Sequence, residues 1–303
     1  MPAGLHPLAP ALPELHERIN GWYARHSRPL PWRDVDATPW GVFLSEVMAQ
    51  QTPVARVEPV WHEWLSRWPT PAALAAASPG DAVRAWGRLG YPRRALRLRE
   101  AAVAMVDRHE GRVPARVEDL LALPGVGAYT AAAVACFAFG EPTVVVDTNV
   151  RRVLARILLG EEHAAPALNR AEARLAADAL PAVPARTTEA VVWNVAVMEL
   201  GAVVCTARAP ACDRCPVREL CAWQRAGRPA YQGERRRGQS WEGTDRQARG
   251  ALLAALRTSA EPVSGAVLAL AWPADQQRIR CLDSLVADGL VEPLADARYR
   301  LPA

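Results

Sequence analysis

Four of the six cysteines lie in one short segment, where their thiols could bind a metal. In a C-x6-C-x2-C-x5-C array, they are Cys205, Cys212, Cys215 and Cys221. The other two, Cys136 and Cys281, are isolated far from this segment, unlike the disulfide framework of a small secreted protein. Four thiolates at this spacing can surround one cubic iron–sulfur cluster or one tetrahedral zinc ion. The spacing alone leaves both open.

Two carboxyl residues stand where they could take part in acid–base or electrostatic chemistry. Asp147 follows a β-branched run and directly precedes a predicted helix. An aspartate there could simply cap the helix, which contributes about 1 kcal/mol. Glu46 has Leu44, Val47 and Met48 as neighbours on a predicted helix, which places that helix in a core rather than on a solvated surface. A carboxylic acid in such surroundings is suited to donating a proton.

A glycine-rich hairpin precedes Asp147 in the segment LPGVGAYTAAAV, residues 123–134. Gly125 and Gly127 predict a tight turn between two helices, and the exposed N–H groups of such a turn can bind a phosphate oxygen. The alternative is an ordinary turn between helices that happens to need glycine.

All 36 basic residues are arginine, because the sequence contains no lysine. This excludes any mechanism built on a lysine Schiff base and leaves only the α-amino terminus as a candidate amine. The net charge of +4 is compatible with a polyanionic partner but is too small to prove one.

Helical periodicity dominates the chain, and strand patterns are almost absent. Thr38 with Pro39, and Ser78 with Pro79, are typical helix starts. The predicted helices are 40–51, 54–67, 82–89, 93–108, 117–122, 129–139, 150–158, 169–180 and 188–200. They are short and lack heptads, which predicts an all-α globule. The uncharged segment 120–140 is broken by Pro124 and two glycines, which favours a buried turn and helix over a membrane span.

The composition changes after the cysteine array. Residues 224–249 predict a linker that either touches phosphates or is merely solvated. Its arginines are Arg225, Arg228, Arg235, Arg236, Arg237, Arg246 and Arg249. Beyond it, amphipathic helices at 247–259 and 275–288 enclose an apolar stretch at 263–272, and 290–301 predicts two short strands. Three helices and a terminal hairpin indicate a small winged-helix-like module.

Six motifs stand in the order and spacing of one enzyme family. They are LPWR (30–33), LSEVMAQQT (44–52), RLGYPRRALRLRE (88–100), the hairpin, VVDTNVRRVLAR (145–156) and the four cysteines. Over residues 15–223 the chain resembles the MutY branch, the adenine DNA glycosylases, of the endonuclease III superfamily. The resemblance implies an all-α helix-hairpin-helix glycosylase fold, and it implies that the cysteines bind a 4Fe-4S cluster rather than zinc.

The resemblance also implies a domain organisation. An iron–sulfur cluster helical domain is expected at 1–28 and 138–224, and a six-helix barrel domain at 29–137. The Arg-rich linker then covers 225–247, and the winged-helix-like module covers 248–303.

The family chemistry can be carried onto individual residues. Members that also cleave the strand have a lysine in the hairpin where this chain has Tyr129, so we expect a monofunctional enzyme. Adenine leaves poorly as an anion, so cleavage needs a proton on the base and a carboxylate facing the sugar. The resemblance gives the proton to Glu46, and it assigns to Asp147 the stabilisation or trapping of an oxocarbenium-like sugar. Tyr129 and Asn149 either hydrogen-bond Asp147, or the water and phosphate beside it, or are polar residues at a core edge.

A base inside a duplex cannot reach such a pocket, so the enzyme must flip it and fill the gap. By family match, Gln51 and Tyr91 wedge into the duplex, although Tyr91 could instead be a packed aromatic. Leu89 and Thr52 match residues near the base opposite adenine.

Further DNA contacts are implied by the same match. Trp32 and Arg33 correspond to residues near the flipped base, and the hairpin glycines Gly125 and Gly127 to a phosphate site. One helix carries four arginines, of which some are expected to contact phosphates and others to be solvated. They are Arg93, Arg94, Arg97 and Arg99.

The chain departs from the family pattern in three places. Val195 stands where the family usually has Gln or Glu near the flipped adenine, and Pro92 replaces a second aromatic after Tyr91. The C-terminal region reads as helical, so we expect a short form without the Nudix-like domain that recognises 8-oxoguanine. Lesion recognition is then weaker, or it is supplied by the winged-helix-like module and the wedge of Gln51, Thr52 and Tyr91.

The expected function is removal of adenine paired with 8-oxoguanine or guanine in double-stranded DNA that carries mismatched or oxidised base pairs. We expect a monomer in the cytoplasm, at the bacterial nucleoid, without membrane contact; a sliding clamp or repair partner stays open. One alternative is a thymine or uracil mismatch glycosylase, against which Glu46 argues. The other is a non-catalytic, redox-sensing DNA-binding protein, which would not need Glu46 and Asp147 together.

Overall fold

A computed structural model of the protein describes residues 11–184, 186–233 and 241–303. Over these residues the chain is predominantly helical, as the sequence predicts. The N-terminal helices are α1 (Leu12–His26), α2 (Pro39–Met48), α3 (Val54–Arg67), α4 (Pro71–Ala75), α5 (Pro79–Trp86), α6 (Arg93–His109), α7 (Val117–Leu121) and α8 (Ala128–Phe139). The others are α9 (Thr148–Leu154), α10 (Arg170–Asp178), α11 (Thr187–Val203), α12 (Ala222–Arg225), α13 (Asp245–Thr258), α14 (Gly265–Ala271) and α15 (Asp275–Ala287). In this part of the chain no helix is both long and apolar enough to cross a membrane.

The helix starts read from the sequence are confirmed. The Thr38 hydroxyl accepts a hydrogen bond from Gly41 N at 3.1 Å, and the Ser78 hydroxyl accepts one from Asp81 N at 3.0 Å. The end of α2 differs from the prediction, because the helix stops at Met48 instead of continuing to residue 51. Gln51 has φ +54°, a left-handed conformation that an α-helix cannot contain.

The chain forms two compact units. The first comprises residues 1–35 and 128–236. Its core lies where α11 packs on α1 and α9, with Ile19, Val153 and Trp193 buried there. After α9, residues Ala155–Leu159 form one π-helical turn, which replaces the end of the predicted helix 150–158.

The second unit comprises residues 36–127 and 237–303 and is rich in buried tryptophan. Trp64 lies edge-on to Trp68 and Trp86, with ring centroids 4.9 and 5.5 Å apart. Such edge-to-face contacts add to the burial of the rings, so they fix α3 against the C-terminal end of α5. The two units divide the chain after residues 35, 127 and 236. The domain boundaries expected from the sequence stay a prediction.

The C-terminal module has the winged-helix order of elements. Helix α13 is followed by strand β1 (Val263–Ser264), α14, α15, strand β2 (Glu292–Leu294) and strand β3 (Arg298–Arg300). The strands form an antiparallel sheet in the order β1-β3-β2. The two strands predicted at the C-terminal end are present. The third, β1, has only two residues inside a stretch that the sequence predicts only as apolar.

The module packs on α5 within the second unit. Arg84 donates to Ser259 O at 2.9 Å, and Arg257 donates to Val83 O at 2.9 Å. Gly80 N donates to Pro302 O at 2.7 Å, and a Cβ at Gly80 would lie 2.4 Å from that oxygen. Only glycine therefore permits this close approach.

Part of the predicted linker lies outside the described residues, namely 234–240 with Arg235, Arg236 and Arg237. Of its other arginines, Arg228 stacks on Trp223 and Arg246 on Trp241, at 4.9 and 4.8 Å from the ring centroids. These guanidinium groups are therefore engaged with aromatic faces of the protein.

Candidate functional site

Asp147 caps α9 and is also bonded by a side chain. One carboxyl oxygen, Oδ1, accepts from Val150 N at 2.6 Å, and the other, Oδ2, accepts from Asn149 Nδ2 at 2.7 Å. The capping role and a chemical role are therefore compatible, because the cap fixes the carboxyl group where the helix N-terminus favours negative charge. The predicted hydrogen bond from Asn149 is present.

The ionisation of Asp147 is shifted. Burial raises the pKa of this carboxyl above its ordinary value, and the hydrogen bonds from Val150 and Asn149 and the charge of Arg152 oppose the rise. A buried carboxylate that is still stabilised by several donors suits a site where positive charge develops.

The strand-like segment before Asp147 is held by Asn194 of α11. The Asn194 amide accepts from Val145 N at 3.1 Å and donates to Thr143 O at 2.8 Å. It thus holds residues 143–145 as a second strand would. Sequence reasoning missed Asn194; the signal was a lone amide in an apolar helix.

A continuous set of hydrogen bonds joins Asn149 to the cysteine loop. Arg152 Nη2 donates to Asn149 Oδ1 and to Gly201 O, both at 2.7 Å, and Arg152 Nε donates to Cys205 O at 2.8 Å. A Cβ at Gly201 would lie 2.7 Å from Asn149 Cβ, so glycine is required for α11 to approach this closely. Arg152 is therefore bonded to both the residue that orients Asp147 and a predicted cluster ligand.

The four predicted ligands line one cavity of the first unit, walled by Leu200, Val204 and Ile157. They are Cys205, Cys212, Cys215 and Cys221. Among the described residues no three His, Cys, Asp or Glu side chains lie as a single metal ion would require. Four thiols that line one cavity with apolar walls supply the donor set of an iron–sulfur cluster.

The surroundings of the thiols also fit a cationic cluster core. Burial, with a smaller contribution from the neighbouring thiols, raises the pKa of Cys215 to about 12. Thiolates form in such a place when iron compensates their charge. The buried guanidinium of Arg156 donates to Cys205 Sγ at 3.3 Å and stacks on Trp223, which gives one sulfur a charge-assisted donor.

Trp32 and Arg33 lie on a short 3₁₀ turn, Pro31–Arg33, and Arg33 is bonded to a fully buried carboxylate. Glu199 accepts from Arg33 Nη2 at 3.0 Å and from Arg28 Nε and Nη2 at 2.6 and 2.8 Å. Burial disfavours ionisation of Glu199, but the hydrogen bond from Arg28 and the charges of Arg33 and Arg28 outweigh it and lower its pKa. Arg33 Nη1 is buried without a hydrogen-bond partner in the described chain.

Glu199 and Arg28 were missed from the sequence. The signal that could have found them is a charged residue beyond the first turn of the apolar helix α11, because a buried charge requires a partner. Val195, on the same helix, is partly exposed, and Met198 Sδ lies 3.8 Å from the Tyr129 hydroxyl. The predicted bond from Tyr129 to Asp147 stays a prediction.

Glu46 lies in the second unit on a helix that is buried throughout. Only 8% of Glu46 is exposed, and every residue from Trp40 to Met48 is buried. Two indole N–H groups anchor this helix, since Trp40 donates to Trp68 O at 3.0 Å and Trp61 donates to Gly41 O at 2.7 Å. The predicted core position of Glu46 is confirmed.

The predicted wedge residues lie on two loops of the second unit, 49–53 and 87–92. Gln51 and Tyr91 are exposed, and both have left-handed backbones, with φ +54° and +47°. Such conformations are disfavoured for residues other than glycine and persist where the surroundings enforce them. Thr52 and Leu89 are buried, and the Thr52 hydroxyl donates to Leu89 O at 3.0 Å, which joins the two loops.

The four arginines of α6 have partners within the protein, and the expectation that some of them contact phosphates stays a prediction. Arg94 and Arg99 bond to main-chain carbonyls, Arg97 pairs with Glu100 at 2.6 Å, and Arg93 lies 3.2 Å from Asp288. Arg94 and Arg99 therefore help to hold the protein together, through the two terminal nitrogens of Arg94 and through Nε and Nη2 of Arg99.

The hairpin has the predicted turn. Gly125 has φ +76°, and a Cβ there would lie 2.7 Å from Arg97 Cβ, so glycine is required on both counts. A Cβ at Gly127 would meet nothing within 4 Å, and both glycines are exposed. The phosphate contact of this hairpin stays a prediction.

The structure brings three groups of predicted residues together, each within one unit. Asp147 is bonded to Asn149, the four cysteines share a cavity, and the two wedge loops meet at Thr52 and Leu89. Glu46 and Asp147 belong to different units, so each carboxyl group is described within its own unit.

Comparison with known families identifies the motifs. HhH-GPD superfamily base excision DNA repair protein is the description of the family that matches residues 44–176, and the iron–sulfur binding domain of endonuclease III matches residues 205–221. The prediction that the cysteines bind an iron–sulfur cluster rather than zinc is thereby confirmed. The double-glycine hairpin, Glu46 and Asp147 all lie inside the first match.

Solved structures and relatives agree with these two family matches. A thermostable thymine-DNA glycosylase is 26% identical, with a TM-score of 0.62 over 72% of this chain and 98% of that one. Endonuclease III in a non-covalent complex with DNA has the same fold, with a TM-score of 0.61 and 22% identity over 72% of this chain and 97% of that one.

An adenine DNA glycosylase of Mycobacterium tuberculosis (strain CDC 1551 / Oshkosh) is 52% identical over 93% of this chain and 91% of that protein. The chain therefore belongs to the HhH-GPD superfamily of base excision DNA repair proteins and, within it, to the adenine DNA glycosylase family.

Proposed function

We propose that the chain flips adenine paired with 8-oxoguanine or guanine out of double-stranded DNA and removes it hydrolytically, without cleaving the strand. The observation that carries this proposal is a pair of carboxyl groups in unlike surroundings. Glu46 lies on a wholly buried helix, and Asp147 is held by the N-terminus of α9 and by Asn149. Unlike surroundings allow one carboxyl group to act as an acid and the other as a carboxylate.

In this mechanism Glu46 delivers a proton to the base as the N-glycosidic bond breaks, and the bonding electrons leave with adenine. Asp147 faces the positive charge that develops on the sugar, and water then completes the hydrolysis. Arg33 Nη1 is a buried donor available for the flipped base, whereas Val195 offers no amide. The absence of lysine removes the usual route to strand cleavage.

The 4Fe-4S cluster, when bound by the four cysteines, supplies cross-links that fix the loop 205–221. Arg152 then links this loop to Asp147, because Arg152 bonds both Cys205 O and Asn149, and Asn149 bonds Asp147. The same proposal includes recognition of 8-oxoguanine or guanine opposite the adenine. It also includes a monomeric state and a location at the bacterial nucleoid.

One other function has an observation in its favour. The fold resembles a solved thymine-DNA glycosylase, so release of thymine or uracil from mismatches with guanine is a second candidate. The buried Glu46 favours adenine as the substrate base, because a poor leaving group such as adenine needs a proton donor most.

The test is single-turnover base release from four duplexes, carrying adenine opposite 8-oxoguanine, adenine opposite guanine, thymine opposite guanine and uracil opposite guanine. Preferred adenine release that collapses in Glu46→Gln is the expected result. Thymine or uracil release would transfer the assignment to the second candidate. DNA binding without release from any duplex would indicate a non-catalytic DNA-binding protein.

A further inference from the structure

One guanidinium group of the second unit lies between the two wedge loops. Arg94 Nη1 donates to Val47 O at 2.8 Å and to Gln50 O at 2.7 Å, at the C-terminal end of α2. Arg94 Nη2 donates to the Thr52 hydroxyl and to Gly90 O, both at 3.0 Å. Both terminal nitrogens are thus used, each by a different set of acceptors.

The flat faces of the same group are also covered. The Arg94 guanidinium carbon lies 5.1 Å from the ring centroid of Trp86 and 5.5 Å from that of Tyr91. Such stacking restrains the ring of Tyr91, the exposed residue of the second loop. Burial lowers the pKa of Arg94 to about 10, so the group is still charged at neutral pH and keeps its charge-assisted bonds.

We propose that Arg94 is a positioning residue for the DNA wedge, which holds Gln51 and Tyr91 in their left-handed conformations by bonding both loops at once. Each loop alone could relax to an ordinary backbone conformation, because the strain at φ +54° and +47° favours that change. The planar guanidinium opposes it, since its fixed donors require the acceptors of both loops to stay in place. This inference rests on the proposed function in taking these two side chains to enter the duplex.

A positioning role for Arg94 and a direct contact of Arg94 with DNA predict different salt dependences of DNA binding. An arginine that contacts phosphate contributes about one unit to the slope of log affinity against log salt, whatever the sequence. A positioning arginine leaves binding to an unmodified duplex and its salt dependence unchanged. It affects only duplexes in which the wedge must open the stack.

The experiment compares Arg94→Met with Arg99→Met in the full-length protein. Arg99 lies on the same helix and also bonds main-chain carbonyls, Ala77 O at 2.6 Å and Ala75 O at 3.2 Å, away from the wedge. It therefore controls for lost stability. Wedge entry is read from the fluorescence of 2-aminopurine placed beside an uncleavable 2′-fluoro analogue of the mismatched adenine, and adenine release is measured separately on the natural base.

For Arg94→Met we expect loss of the fluorescence rise and adenine release slower by about 10²-fold, because a small misplacement of a positioning group costs about that much. Arg94→Lys should recover part of the signal, since an ammonium can bond one set of acceptors but not both. Arg99→Met should behave as wild type, and the salt slope on unmodified duplex should be the same in all proteins.

Three results would overturn the proposal. They are an unchanged fluorescence rise in Arg94→Met, an equal loss in Arg99→Met, and a shallower salt slope in Arg94→Met, which would reveal a phosphate contact. A wild-type protein that raises the fluorescence but releases no adenine would refute the proposed function and leave the inference on Arg94 standing. A wild-type protein that does not raise it would refute the inference.

Discussion

The proposed catalytic carboxylate of the first unit and the proposed wedge of the second unit are held in opposite ways. Asp147 has an extended backbone with φ −100° and both of its carboxyl oxygens are bonded. Gln51 and Tyr91 are exposed and have left-handed backbones. The group proposed to face a developing charge is thus fixed without strain, whereas the groups proposed to displace a base are kept in a strained conformation.

Both regions nevertheless depend on an arginine that bonds main-chain oxygens. Arg152 joins Asn149 to the cysteine loop, and Arg94 joins the wedge loops. The guanidinium group suits this task because its donors have a fixed planar geometry. The difference therefore lies in what each arginine stabilises: a relaxed cap in one unit and a strained pair of loops in the other.

The largest effect is expected from Asp147→Asn. Asparagine can keep the bond to Val150 N but carries no charge, so α9 stays capped while the developing sugar cation loses its partner. Base release should slow by about 10³-fold or more, with duplex affinity nearly unchanged. Single-turnover kinetics and fluorescence anisotropy measure the two quantities. Full activity in this variant would reduce Asp147 to a helix cap.

Arg152→Gln should have the next largest effect, and Arg151→Gln is its matched control on the same helix. Arg151 bonds Glu172 and Ala165 O, away from Asn149. Loss of Arg152 breaks the bonds to Asn149 and Cys205 together, so base release should slow about 10- to 100-fold. The visible absorbance of the cluster per protein should also fall. Equal effects of the two substitutions would contradict a specific link between cluster loop and carboxylate.

Asn149→Ala should change the pH dependence of base release. The Asn149 amide favours the ionised form of Asp147, so its removal raises the already raised pKa of this carboxyl further. Activity requires the carboxylate and falls as the pH drops through that pKa. The acidic limb of the rate profile should therefore move to higher pH in Asn149→Ala. A limb that stays in place, or moves to lower pH, would show that another group controls it.

The smallest effect is expected from Gln51→Gly, which should raise the stability of the fold rather than lower it. Glycine removes the left-handed strain at this position but costs unfolded-state entropy, so the net gain is a fraction of 1 kcal/mol. The Tm should rise by about 1–2 °C while adenine release slows. Gln50→Gly, where φ is not positive, should lower the Tm. A fall in Tm for both would remove the evidence for strain in the wedge.

The sequence predicts what is local in this molecule. The helix start at Thr38, the cap at Asp147 and the hairpin glycines are set by residues within four positions of one another, and all of them are present. The core position of Glu46 follows from its apolar neighbours. Local patterns suffice because capping and periodicity act over one turn of helix.

The long-range pairs could not be predicted in this way. Glu199 and Arg28 are 171 positions apart, and Arg94 reaches residues 44 positions away at Gln50. From the sequence, each of the four arginines on α6 could either contact a phosphate or be solvated. Only the fold shows that the acceptors of Arg94 are already present in the protein. Strand β1 was missed for the same reason, since two residues become a strand only by pairing with β3.

The hydrogen bond between Gly80 and Pro302 has a consequence for folding during synthesis. The second unit is assembled from residues 36–127 and 237–303, so its N-terminal part emerges from the ribosome long before the module that packs on α5. Domains fold as units during synthesis, and the cost of closing a loop grows with the length of chain between its ends. The helix that leads into the wedge loop thus acquires this support only after the module has been synthesised, more than 150 residues later in the chain.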